Sequence, residues 1–147
     1  MARGDVVVFD EALAKLIDGD YASTDQIFVA ICDNTAAPAA ATVTPTLGDF
    51  TEVGAAGTYT AGGTLLGTIA DMVSQTAGAL KFDSAVNPNW LKDPLNDVDA
   101  HWGIIYNNTN LSDEAIAYVD LGGPVDMTAG ELVLTWDALG IFSIAKV

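Results

Sequence analysis

The sequence predicts a mainly β protein, an antiparallel β-sandwich of jelly-roll or immunoglobulin-like kind with one short N-terminal helix. Three observations carry that expectation. Apolar and polar residues alternate with period two in several segments, among them HWGIIY (101–106) and ELVLTWD (131–137). These segments are short and are punctuated by turn residues such as AGG (61–63), NPN (87–89) and LGGP (121–124). Helical spacing is confined to one stretch near the N-terminus.

That stretch is FDEALAKLIDGDY (9–21), in which Phe9, Leu13, Leu16 and Ile17 recur at helical intervals and Gly19 stands where a C-cap glycine belongs. A strand-helix segment is therefore expected over 5–19. Next, IFVAICD (27–33) sets Ile27, Val29 and Ile31 on one face and Phe28, Ala30 and Cys32 on the other. A strand apolar on both faces belongs between two layers. Positions 35–46, TAAPAAATVTPT, carry two prolines and neither period, which predicts an extended surface loop. Such a loop is either a connector or an arm that orders against a neighbour.

Beyond it, TYTAGGTLLGTIA (58–70) offers a turn at Gly62 and Gly63, and MVSQTAGALKFDSA (72–85) reads as a hairpin around Gly78 with Leu80 and Phe82 inward. VNPNWLKDPLNDVD (86–99) is a loop rich in Pro, Asn and Asp that carries one large apolar residue, Trp90. HWGIIY, EAIAYVDL (114–121), ELVLTWD and GIFSIAKV (140–147) follow as strands. Trp102, Ile104 and Tyr106 alternate to one face, as do Leu132, Leu134 and Trp136; Trp102, Tyr106 and Trp136 are expected in the core. Ile105, Val119, Leu121 and Val133 fall on the opposite faces, where they mark either an interface or a second buried layer.

A chain of 147 residues is long enough to bury a sizeable core, and a single domain over 1–147 is expected. It holds 20 acidic residues against 5 basic ones, a formal net charge of -15. Arg3, Lys15, Lys81, Lys92 and Lys146 form no cluster, so nucleic acid is excluded as a direct partner. The acidity implies either solubility or steering towards a basic protein surface. Mean hydropathy is +0.33, yet no apolar run reaches the roughly 18–20 residues of a membrane span. MARGDVVVFDEALAKL has no basic region followed by a long apolar run, so no signal peptide is expected and synthesis is assigned to the cytoplasm.

The inventory for catalysis is small. His101 is the single histidine and Cys32 the single cysteine, so neither a nucleophilic triad nor a nitrogen and sulfur zinc set is expected. Asp93, Asn96, Asp97 and Asp99 present oxygens in a short run, but without the glycine and terminal glutamate of a calcium-binding EF-hand loop. An Asx-capped turn is the plainer reading, with calcium binding left open. AGGT and LGGP lack the lysine and the strand-to-helix setting of a phosphate cradle. No enzyme activity and no cofactor are expected.

The order of segments is itself distinctive: TDQIFVAICDN, then YTAGG at Tyr59 to Gly63, an A-x-x-x-x-I-Y strand at Ala100 to Tyr106, Ala117 to Gly123, and a closing run with Gly130, Trp136, Gly140 and Ile141. This pattern, spread over nearly the whole chain, resembles a family of small structural proteins of tailed bacteriophages. The resemblance implies a virion protein, a head decoration or cement β-sandwich bound outside the capsid shell after synthesis in the host cytoplasm. The major capsid protein would be its partner, together with further copies of itself, as a homotrimer at threefold positions or else a dimer at twofold ones. The residues expected at such contacts are Arg3, Val6, Val7, Val8, Phe9, Ala36, Pro38, Val43, Pro45, Trp90, Leu91 and Leu95. The alternative is a receptor- or carbohydrate-binding module of the tail or fibre, with Trp90 and Tyr59 as stacking platforms.

Overall fold

The computed structural model describes residues 1–76 and 78–145. The chain opens with β1 (Val6–Val8) and α1 (Asp10–Asp18), then β2 (Gln26–Cys32) and a 3-10 turn over Leu47–Asp49. β3 (Thr64–Thr68), the one-turn helix α2 (Ile69–Met72), β4 (Val73–Thr76), β5 (Ala79–Phe82) and β6 (Asn89–Trp90) follow. The long strands β7 (Ala100–Asn107) and β8 (Glu114–Val125) precede β9 (Leu132–Val133) and β10 (Phe142–Ala145). The fold is mainly β and its sheets are antiparallel, as the period-two segments predict.

Five strands form the main sheet in the order β1-β8-β7-β2-β3. Register explains why its centre is apolar on both sides. Ile31, Gly103, Val119 and Val6 lie in one cross-strand row, Val29, Ile105, Ala117 and Val8 in another on the same face. The row between them, Ala30, Ile104, Tyr118 and Val7, points the other way. Over the first face lies the segment after β9: the space beside Gly103 is bounded by Leu134, Val29 and Val119 side chains. Over the second lies the N-terminal segment, with the Phe9 ring 5.2 Å from Tyr118 and 6.2 Å from Phe50. Ile105, Val119 and Leu121 are therefore buried within the chain, not displayed as an interface; of the four residues singled out, only Val133 remains exposed.

The N-terminal expectation over 5–19 holds in outline. Phe9 is the N-cap of α1, and Gly19 closes the helix in the left-handed region, its N–H donating to Lys15 O. Helical spacing overestimated the buried stripe, however, because Ile17 is 77% exposed. The helix lies against β8, where Lys15 of its last turn pairs with Glu114 at 2.6 Å.

A separate three-stranded sheet has the order β10-β5-β4. Gly78 turns the β4–β5 hairpin with positive φ, as expected. Phe82 is buried and stacks on Phe142 with centroids 4.7 Å apart. Leu80 is a correction. It shares a face with Phe82 by period two, but it pairs with Ile144 and Gln75 at the outer end of the sheet, and both Leu80 and Ile144 are exposed there.

Two further boundaries differ from expectation. The 86–99 loop contains β6, which pairs with β9 through Asn89–Val133 and Trp90–Leu132. ELVLTWD keeps its alternation, with Leu132 and Leu134 buried, yet only two residues form ladder pairs. β8 runs four residues further than expected, to Val125. Residues 146 and 147 of the closing strand lie outside the described residues. Tyr106 is buried, whereas Trp102 and Trp136 sit at the core margin with their indole N–H groups donating to Asn34 Oδ1 and Val86 O. Among the described residues no helix is long and apolar enough to cross a membrane.

Candidate functional site

The best-connected carboxylates of the fold act as loop anchors. Asp93 is fully buried; its Oδ2 accepts from the Thr58 N–H at 2.8 Å and the Tyr59 N–H at 3.0 Å, and its Oδ1 from the Leu95 N–H at 3.2 Å. The Tyr59 N–H, foremost, holds the Asp93 pKa below the ordinary carboxylate range against the opposing effect of desolvation. Gly57 is needed for this approach, since a Cβ there would stand 1.7 Å from Asp93 Oδ1. Because N–H donors converge on it, Asp93 is built to hold two loops together. Asn96 beside it is buried, with its Nδ2 3.9 Å from Met127 Sδ. Among the described residues no group of three or more His, Cys, Asp or Glu is placed to share a metal ion.

A second anchor centres on Tyr59. Its hydroxyl accepts from the Ile31 N–H at 3.0 Å and donates to Glu52 Oε2 at 2.6 Å, while the same Glu52 oxygen accepts from the Gly62 N–H at 2.7 Å. Burial, with the Glu52 hydrogen bond second, drives the Tyr59 pKa well up, so the phenol stays protonated. Asn107 similarly donates to Asp25 at 2.7 Å and accepts from the Thr109 N–H at 3.0 Å. Partners 28 to 35 residues apart leave no local sequence signal, so these anchors were not foreseen. The Cys32 thiol is buried, and that burial raises its pKa, leaving it a small apolar side chain.

The expected contact residues are dispersed. Phe9, Pro45 and Trp90 are buried and are corrected to core positions: Phe9 fills the space between Tyr118 and Phe50, and Trp90 sits in β6 beneath the pairing with Leu132. Tyr59 and Trp90 thus offer no exposed ring face on which a sugar could stack. The hollow beside them, lined by Thr58, Thr60, Thr64, Asn89 and Trp90, holds about 240 Å³, below the roughly 300 Å³ at which ligand pockets begin. Val7 and Val8 are half-buried in β1, as are Ala36 and Pro38 in the following loop. That loop is tied to its own chain: Asp10 N–H donates to Ala40 O, Thr44 N–H to the Glu11 carboxylate, and Ala115 N–H to Pro45 O. Val43, Leu91 and Leu95 are exposed.

Arg3 and Val6 alone among these residues line a cleft of about 640 Å³. Its floor is apolar, built from Val119 and Leu121 of β8 together with Leu132, Leu134 and Ile141. Arg3, Asp5, Asp120 and Asp137 also line it, with Asp120 of β8 paired to Trp102 and so directed to the face opposite Val119. An acidic bias extends over the surface. Ion pairs engage Glu114 and Glu11 with Lys15, and Asp83 with Lys81. The other 17 of the 20 acidic side chains are in no ion pair among the described residues. No family model, no curated protein and no solved structure matches this chain.

Proposed function

We propose that this chain is a structural protein of a tailed-bacteriophage particle: a decoration or cement protein that binds the outside of the head shell and stabilises contacts between major capsid subunits. The observation that carries the reading is the unbalanced acidic surface, laid over a scaffold whose deepest polar groups serve as loop anchors. Such a surface favours association with a basic protein face, with long-range attraction raising the on-rate and apolar contact setting the residence time. The segment order that resembles small phage structural proteins supplies the identity of that face. In this reading the chain makes and breaks no covalent bond and takes no cofactor. It acts as a homotrimer at threefold positions, where many copies each contribute a few kcal/mol and their sum resists the pressure of the packaged genome.

The test uses particles assembled with and without the chain. Particles lacking it are expected to rupture at lower temperature, to recover when purified protein is added back, and to adsorb to cells at the normal rate. Equal rupture thresholds contradict the reading. Loss of adsorption with intact heads supports the tail or fibre module instead.

A further inference from the structure

The loop over residues 91–98 stands on two polar feet. Asp93 and Asn96 are 0% and 1% exposed, whereas Leu91 and Leu95 are displayed to solvent. The Asn96 N–H donates to Asp93 O at 3.1 Å, closing the turn that carries both buried side chains. Asp93 is met by three N–H groups, but Asn96 is only half satisfied. Its Nδ2 faces the Met127 sulfur at 3.9 Å, and its Oδ1 is the one buried side-chain oxygen or nitrogen among the described residues with no hydrogen-bond partner. Such an atom is costly unless something meets it. Turning the amide over would only exchange an unmet acceptor for an unmet donor. The space in front of this oxygen is open on the side of Gly54: a Cβ there would have Asn96 Oδ1, at 3.6 Å, as its only neighbour within 4 Å outside the adjoining residues. Three residues further on, Gly57 brings the same segment onto Asp93 Oδ1. That carboxylate oxygen accepts one N–H, from Leu95, which leaves it a further lone pair, and Asp93 is in no ion pair among the described residues.

We infer that the space between Gly54 and Asn96 Oδ1 is a calcium site. The orphaned oxygen lacks a positive partner, and the side chains directed under segment 54–57 offer one amide oxygen and one carboxylate, the oxygen chemistry that a hard cation takes. Asn96 Oδ1 is the ligand that the ion meets, Asp93 supplies the negative charge beside it, and backbone carbonyls and water complete the roughly six to eight oxygens of a calcium ion. A water molecule could also donate to Asn96 Oδ1. The buried charge of Asp93, in a chain of net charge -15, favours the cation instead. With a single carboxylate the site belongs to the weak class, with Kd about 10⁻⁴–10⁻³ M. It differs from a site of three or more acidic side chains, which the described residues do not form. An ion held there clamps the 93–96 turn to segment 54–57 and steadies the loop that displays Leu91 and Leu95. The inference does not depend on the particle reading above.

The test titrates calcium chloride into the full chain after treatment with a chelator, followed by calorimetry, melting temperature and amide NMR shifts. Magnesium chloride at the same concentrations is the comparison for charge screening, since magnesium demands a stricter octahedral geometry. Calcium is expected to raise the melting temperature by about 5 °C at ten times its Kd, and to shift the Gly54 and Asn96 amides foremost. Gly54→Ala has no positive φ to strain it and sets a methyl group in ordinary contact with Asn96 Oδ1. It is expected to fold and to lose the calcium response. Asn96→Asp adds a second carboxylate at the same place and is expected to bind calcium about tenfold more tightly. An unchanged melting temperature in calcium overturns the inference and assigns Asn96 Oδ1 to a water molecule. An equal rise in magnesium overturns it by assigning the effect to screening, as does undiminished calcium binding by Gly54→Ala.

Discussion

One hydroxyl group ties the central strand β2 to the loop that carries Glu52, Tyr59 and Gly62. Tyr59 Oη accepts from Ile31 in the central strand β2 and donates to Glu52, which in turn receives the Gly62 N–H. Tyr59→Phe leaves the Ile31 N–H buried without a partner, so a loss of about 1–3 kcal/mol is expected in chemical denaturation; an unchanged midpoint contradicts the anchor. Asp93 gives a pH signature instead. Its folded pKa lies below its unfolded one, so its contribution is complete above the ordinary aspartate pKa of about 4 and is lost as pH falls through the lower folded value. Asp93→Asn is therefore expected to melt lower than the parent at neutral pH, with the gap closing in acid. A gap constant across pH would assign Asp93 a purely steric role. Gly63 combines φ of +74 with a backbone approach that would place a Cβ 1.9 Å from Val29 O. Gly63→Ala is expected to cost more than the roughly 1–3 kcal/mol of backbone strain alone, read as a fall in melting temperature. Gly19, Gly62 and Gly78 were legible because turn chemistry is local; Asp93 and Glu52 were not, because their partners are set by tertiary approach.

Strands show where period-two reasoning succeeds and where it stops. β2 and β7 were foreseen within a residue at each end, because uninterrupted β-branched and aromatic runs admit no competing helix. The alternation also separated the two faces of β7 correctly, but it could not say that both faces are covered. That depends on Phe9 arriving over Tyr118 and Leu134 over Gly103, contacts between segments distant in the sequence. The β4–β5 hairpin exposes the same limit, since Leu80 and Phe82 share a face while only Phe82 has a layer beneath it. Phe82→Ala is expected to lose about 3–5 kcal/mol, and Leu80→Ala a small fraction of that, by urea denaturation. Comparable losses at the two positions would mean that the outer end of the sheet is packed after all.

At the scale of the molecule, the excess of carboxylates is the leading feature. Composition alone revealed the charge of -15, but the cleft joins residues 3–6 and 119–121 to 132–137 and 140–142, and no pattern in any of these segments announces the others. Most expected contact residues fell elsewhere because the cleft is lined by buried strand residues such as Val119, Leu121 and Leu132, which read as core in a sequence. If the acidic surface steers the chain onto a basic shell, association should slow as ionic strength rises while dissociation changes little. Surface plasmon resonance against immobilised shells measures both rates, and a salt-independent on-rate removes the electrostatic part of the account. The most direct measurement of all is electron cryo-microscopy of the assembled phage particle. The account predicts ordered density for this chain on the outside of the head, in repeated copies at the junctions between capsid subunits. Density on the tail alone, or a particle complete without this chain, would contradict it.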